Sequence, residues 1–273
     1  MKIGIYEGEA SQVLRMLPAA SAHCCVTSPP YWSLRDYGHD QQVGLELSPG
    51  EYVQRLVAVF REVRRVLRDD GTCWVNIGDT YAAQRGGTAP PADTACGHNR
   101  GMNTGYNPHR NARAFGLKHK DLVGIPHRLA LALQADGWYW RADIIWHKPS
   151  AMPERVTDRP MRAHEHVLML SKRERYAYHD KRRTPNVWAI RPDPMQGAHQ
   201  AVMPLELARR CIVAGAAEGE TVIDPFAGTG TTAIAAHNAG RRCTLIELSP
   251  DYAQQACERI REATRQQSLL GLC

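Results

Sequence analysis

The alternation of apolar and polar positions begins at the first residues. Residues 2–6 alternate at the period of a strand, residues 10–17 fit a short helix stopped by Pro18, and Cys24, Cys25 and Val26 form a second, buried strand. From 51 to 67 the apolar residues Tyr52, Leu56, Val59, Phe60, Val63, Val66 and Leu67 recur at three- and four-residue steps. That spacing predicts an amphipathic helix, with Arg61, Arg64, Arg65 and Arg68 largely off its apolar stripe. Asp69, Asp70 and Gly71 turn the chain into a strand over 72–77. A helix resumes at Pro126, a residue suited to a first turn, runs to Ala135 and stops before Gly137, and a strand over 140–146 follows. The last third alternates regularly: helix 204–213, strand 221–223, helix 231–238, strand 243–246, helix 250–260. Such alternation predicts an α/β fold with a doubly wound, mostly parallel sheet.

Two segments break the pattern. Residues 82–118 are rich in Gly, Asn, Pro and Arg and poor in large apolar side chains, so they predict a long mobile loop, either a plain insertion or one that touches nucleic acid. In the second, 159–198, the cations Lys172, Arg173, Arg175, Lys181, Arg182 and Arg183 face only Glu174 and Asp180, with Tyr176, Tyr178, His179 and Trp188 interleaved. Cations among aromatics suit a surface that tracks phosphates and stacks on bases, and a solvated β-hairpin face is the plainer alternative.

Composition narrows the class. A chain of 273 residues with 43% apolar residues predicts one large domain over 1–273 rather than disorder. Its net charge of +6 suits a polyanionic partner without demanding one. Eight cysteines without a Cys-x-x-Cys spacing predict reduced thiols in a cytoplasmic protein. Cys96, His98, His109 and His119 match no finger or ribbon spacing, so no metal is expected, and no apolar run nears the roughly twenty residues of a membrane span.

Two motifs carry candidate chemistry. Thr27-Ser28-Pro29-Pro30-Tyr31-Trp32 follows the second strand. Its prolines fix the backbone, so the Pro29 carbonyl and Ser28 Oγ become fixed acceptors, and Tyr31 and Trp32 offer faces to a planar ring. An amine on an aromatic base is a poor nucleophile because its lone pair is delocalised. Two acceptors gripping its hydrogens would turn that lone pair toward an incoming methyl group, by orientation and fixed dipoles. The second motif, Asp224-Pro225-Phe226-Ala227-Gly228-Thr229-Gly230-Thr231-Thr232, joins a strand to a helix, and Glu247 closes the next strand about twenty residues on. Glycines admit close backbone approach, and the acid is placed to hold two ribose hydroxyls, which points to a nucleoside-bearing cofactor. The third glycine of a dinucleotide fingerprint and the Lys-Ser/Thr of a phosphate loop are both absent.

Together these motifs resemble the DNA amino-methyltransferases of the permuted beta class, in which the catalytic motif precedes the cofactor motif, and the resemblance covers nearly the whole chain. It implies a Rossmann-like methyltransferase fold, S-adenosylmethionine as cofactor and flipped bases of duplex DNA as substrate. Ser28, Pro29, Pro30 and Tyr31 match the catalytic motif, and the residues from Asp224 through Thr231 match the cofactor loop, where Phe226 packs on the cofactor. Glu247 matches the ribose-binding acid. His199-Gln200-Ala201-Val202-Met203-Pro204 resembles the element beside the methionine end, which implicates His199 and Ala201, and Glu9 stands where the family usually has an Asp that contacts the adenine amine. In that family Ser at the head of the motif leans toward N4 of cytosine, whereas adenine is the commoner target, so both bases remain open. Glutamine methyltransferases of proteins carry Asn-Pro-Pro-Tyr after the glycine motif, the reverse of the order here, and a silent DNA-binding relic would be expected to have lost Tyr31 or the glycines. The resemblance also implies a homodimer and leaves a partner endonuclease unspecified; the 51–67 helix or the helix after Pro126 would supply an interface if its apolar stripe is wider than the sheet can cover.

Overall fold

The computed structural model describes residues 2–82, 116–151, 153–193 and 203–270. Most of the 82–118 loop, and with it Cys96, His98 and His109, lies outside the described residues, as do His199 and Ala201.

The strands are β1 (Ile3–Glu7), β2 (Ala22–Thr27), β3 (Leu67–Ile77), β4 (Tyr139–His147), β5 (His164–Ser171), β6 (Val187–Ala189), β7 (Thr221–Asp224) and β8 (Arg242–Glu247). They form one sheet in the order β1-β8-β7-β2-β3-β5-β4-β6. All pairings are parallel except those of β5 with β3 and β4, so β5 alone runs against the rest.

Helices cover both faces. On one, α1 (Ala10–Met16), α2 (Pro49–Val66) and α3 (Ile125–Ala135) pack over Cys73, Val75, Ile77, Leu168 and Leu170. On the other, α4 (Leu205–Gly215), α5 (Thr231–Asn238) and α6 (Pro250–Leu270) pack over Val26, Trp74, Val167, Val222 and Leu245. Neighbouring residues of β3 and β5 thus feed opposite cores, as the two-residue strand period requires. Continuous burial on both faces is what a sheet of parallel strands needs.

Two sequence expectations change here. The 159–198 segment is not a surface hairpin: it contains β5, whose residues Val167, Leu168, Met169 and Leu170 are buried between β3 and β4. The α2 stripe is also unavailable as a dimer interface, because Tyr52, Leu56, Val59, Phe60, Val63 and Val66 are all buried within the chain's own core. The described cysteines are free thiols, as expected.

Candidate active site

The carboxyl ends of β1, β2, β7 and β8 open into one cleft, the place where open parallel sheets bind ligands. Glu9, Ser28, Pro29, Pro30, Tyr31, Asp224, Pro225, Phe226, Ala227, Gly228, Thr229, Thr231 and Glu247 all line it. Gly230 stands just behind, as the N-cap of α5, with φ 82°. A Cβ there would lie 3.0 Å from Ala256 Cβ, so the glycine serves the close approach of α5 and α6.

Asp224 joins the two motifs. Thr27 Oγ1 donates to its Oδ1 and Thr232 Oγ1 to its Oδ2, both at 2.6 Å, and Phe226 N donates to Oδ1 at 3.0 Å. Thr27 immediately precedes Ser28, so one carboxylate ties the end of β2 to the cofactor loop. Burial raises its pKa to about 6, against the lowering effect of these three donors. Its oxygens are committed to the protein's own groups, which makes Asp224 the frame of the cleft.

Glu247 is placed differently. Its Oε2 accepts from Gly228 N at 2.7 Å and its Oε1 from Ser249 N at 2.9 Å, which aims the carboxylate at the cleft while each oxygen keeps acceptor capacity. Burial raises its pKa, opposed by backbone donors from Ser249, Gly228 and Leu248. Glu9 is the N-cap of α1, accepting from Gln12 N at 2.9 Å and from Ser11 Oγ at 2.5 Å.

At the catalytic motif the Pro30 carbonyl is taken by Tyr52 Oη at 2.8 Å, whereas no described residue donates to the Pro29 carbonyl. Tyr31 Oη donates to Glu165 Oε2 at 2.5 Å. Glu165 is held in turn by Asn76 Nδ2 at 3.1 Å and by an ion pair with Lys148. Burial pushes the Tyr31 hydroxyl well above its ordinary pKa, the adjacent Glu165 carboxylate adds to this, and Ser28 opposes it. The ring is therefore a neutral, fixed face. Gly78 makes room for it, since a Cβ there would meet Tyr31 Cε2 at 2.8 Å.

Several expected DNA contacts are not assembled with this cleft. Trp32 is 4% exposed, packs in the α1–α3 core and donates from Nε1 to the Glu46 carbonyl, so it cannot stack on a base. Lys172 and Arg173 follow the far end of β5, where both pair with Asp69 and Lys172 Nζ also donates to the Leu67 carbonyl. Arg175 lies in the same turn, ahead of the Ala177 N–H that bonds to the Asp70 carbonyl. These three cations sit at the end of the sheet opposite the cleft, because β5 runs against its neighbours. Lys181, Arg182 and Arg183 lie between His179, bonded to the end of α4, and β6; Arg182 is paired with Asp180.

Asn76, Lys148 and Glu165 escaped the sequence reading, as did Arg35, Tyr37 and Tyr252 at the cleft wall. A polar Asn near the end of an apolar strand, and a Glu between His164 and His166 just before one, are the available signals.

The cleft suits a nucleoside joined to an amino acid. It offers the Glu247 carboxylate, an apolar wall at Phe226 and Ala227, and a buried Thr231 Oγ1 with no partner among the described residues. Comparisons with known proteins agree. The family model for DNA methylase matches residues 22–258. The chain is 48% identical to the type II methyltransferase M.Cfr9I of Citrobacter freundii, over 94% of this chain and 87% of that one. It is 45% identical to M.SmaI of Serratia marcescens, over 94% and 90%. Among solved structures it is similar to a putative DNA modification methylase of Thermus thermophilus complexed with S-adenosyl-L-methionine, with TM-score 0.65, 29% identity and coverage of 96% and 94%. The cytosine-N4-specific PvuII DNA methyltransferase shares the fold at TM-score 0.70 and 19% identity, over 97% and 92%.

Proposed function

The chain belongs to the family of S-adenosylmethionine-dependent DNA amino-methyltransferases, and from that premise we propose that it methylates the N4 amine of a cytosine at a specific duplex site, as a type II modification enzyme. The observation that carries the chemistry is that Ser28-Pro29-Pro30-Tyr31 opens onto the same cleft as Glu247 and Thr231. Ser28 supports cytosine, because serine at the head of this motif leans that way in the family. The names of the type II relatives support site specificity.

Bound S-adenosylmethionine supplies an electrophilic methyl group on a sulfonium. Glu247 would hold the ribose hydroxyls, and Phe226 would pack on the nucleoside. The Pro29 carbonyl and Ser28 Oγ accept the hydrogens of the target amine and direct its lone pair. Tyr31 supports the base ring, and Glu165, Asn76 and Lys148 fix Tyr31. A stacked, paired base cannot present its amine here, so the base leaves the duplex first.

Mass spectrometry of nucleosides from DNA treated with the protein and isotopically labelled cofactor tests this reading. Labelled N4-methylcytosine is expected. Labelled N6-methyladenine would transfer the assignment to adenine, and unlabelled DNA would end it. Flipping should appear as enhanced 2-aminopurine fluorescence at the target position. We also propose that two copies act on one site, since a second subunit extends the reach along DNA. Light scattering at micromolar concentration should report a dimer, through a surface other than α2.

A further inference from the structure

A second cluster of chemically capable side chains lies outside the cleft. His164 and His166 point to the α3 side of β5, the face opposite Glu165, and Asp143 on β4 shares it. His166 Nδ1 is 2.9 Å from one Asp143 carboxylate oxygen and 3.2 Å from the other. His127, exposed in the first turn of α3, sets its ring edge-on to His166 with centroids 5.0 Å apart. One donor atom from each of His127, Asp143 and His166 lies within 4.8 Å of the others. None of the three lines the cleft, and methyl transfer uses none of them.

We propose that His127, Asp143 and His166 form a binding site for one divalent transition-metal ion of the zinc class. Two imidazoles and one carboxylate suit zinc, cobalt or nickel, whereas magnesium and calcium prefer oxygen donors throughout. With metal–ligand distances of about 2.0–2.2 Å, tetrahedral donors stand roughly 3.3 Å apart. The Asp143–His166 pair already meets that spacing. His127 is the exposed member, free to close the remaining gap by a change of side-chain rotamer. Water would complete the coordination. Arg162, whose charge acts on the neighbouring His164, has its guanidinium bonded to Glu154 at 3.0 Å.

An ion at this position would clasp the start of α3 to β4 and β5. That helix start is already held once, by Asp79, whose carboxylate accepts from Gly124 N and Ile125 N at 3.0 Å. The site therefore reinforces the junction between the helical layer and the antiparallel part of the sheet, independently of the methyl-transfer reading.

The test uses the full-length protein, stripped with a chelator and titrated with Co2+ and then Zn2+. One equivalent of Co2+ should give visible absorption bands of a low-coordinate site, displaced by Zn2+, and Zn2+ should raise the melting temperature. His127→Ala, at an exposed position, and Asp143→Asn, which keeps a hydrogen bond to His166, should each weaken Co2+ binding by at least about tenfold. Both should also lose the Zn2+-dependent rise in melting temperature. The absence of the bands in the wild type, or their retention at wild-type affinity in either variant, would overturn the proposal.

Discussion

At Tyr31 the ring and the hydroxyl answer to different neighbours, and each can be perturbed alone. Gly78→Ala would place a methyl group 2.8 Å from Tyr31 Cε2, so the ring must move. Overpacking of this kind costs about 1–3 kcal/mol. A displaced support for the base should lower turnover roughly tenfold to a hundredfold. Calorimetry should find S-adenosylmethionine affinity unchanged, because Gly78 does not line the cofactor loop. Asp224 gives a test of sign. Its pKa is raised by burial to about 6 from an ordinary 3.8, so the folded state holds the proton more tightly than the unfolded state. Stability owed to this group is therefore lost as pH rises from about 4 to 6, by about 1.4 kcal/mol per unit. Asp224→Asn, which retains an acceptor for Thr27 and Phe226, removes that dependence. In urea unfolding at pH 5 and 7.5, the variant should gain on the wild type at the higher pH by about 1.4 kcal/mol. The opposite sign would mean that the hydrogen bonds outweigh burial.

Among the elements, α2 shows how much local sequence decides. Ser48 Oγ accepts from Glu51 N at 3.0 Å and Glu51 Oε2 from Ser48 N at 3.1 Å, a reciprocal cap with Pro49 in the first turn. Ser48→Ala should cost about 1 kcal/mol in denaturant unfolding with no effect on cofactor affinity. The apolar stripe of this helix and the strand–helix alternation of the last third were legible because each rests on local periodicity. The Asp224 loop, Glu247 and the Ser28 motif were legible for a related reason, since each sits at the end of a recognisable strand. β5 was not: its four apolar residues are bracketed by His164, Glu165 and His166 on one side and Lys172 and Arg173 on the other, and the charge obscured the run. With β5 unseen, the Tyr31–Glu165–Asn76 network could not be read either. Asn76 and Glu165 are 89 residues apart and meet only because β3 pairs with β5. Trp32 failed differently, since nothing local distinguishes a ring turned inward from one turned out.

Over the whole molecule, the antiparallel course of β5 also decides which cations can serve DNA. β5 has eight residues, so at about 3.3 Å per residue its ends stand roughly 25 Å apart. The expected basic cluster follows its far end, and Lys172 and Arg173 there are spent on Asp69. The segment between β4 and β5 lies instead at the cleft end, with Arg155 exposed on it, and Arg35, half-buried, lines the cleft itself. Each phosphate contact contributes about −0.9 to the slope of log K against log salt. Replacing Arg35 and Arg155 by Gln should therefore flatten the slope for duplex DNA by about two. Replacing Lys172, Arg173 and Arg175 should leave it unchanged, even though net charge falls further. Binding measured by anisotropy across a salt series separates these outcomes. A slope that follows total charge regardless of position would mean that DNA has no preferred face on this molecule. The base amine could then not be delivered to Ser28 and Pro29 by the orientation proposed.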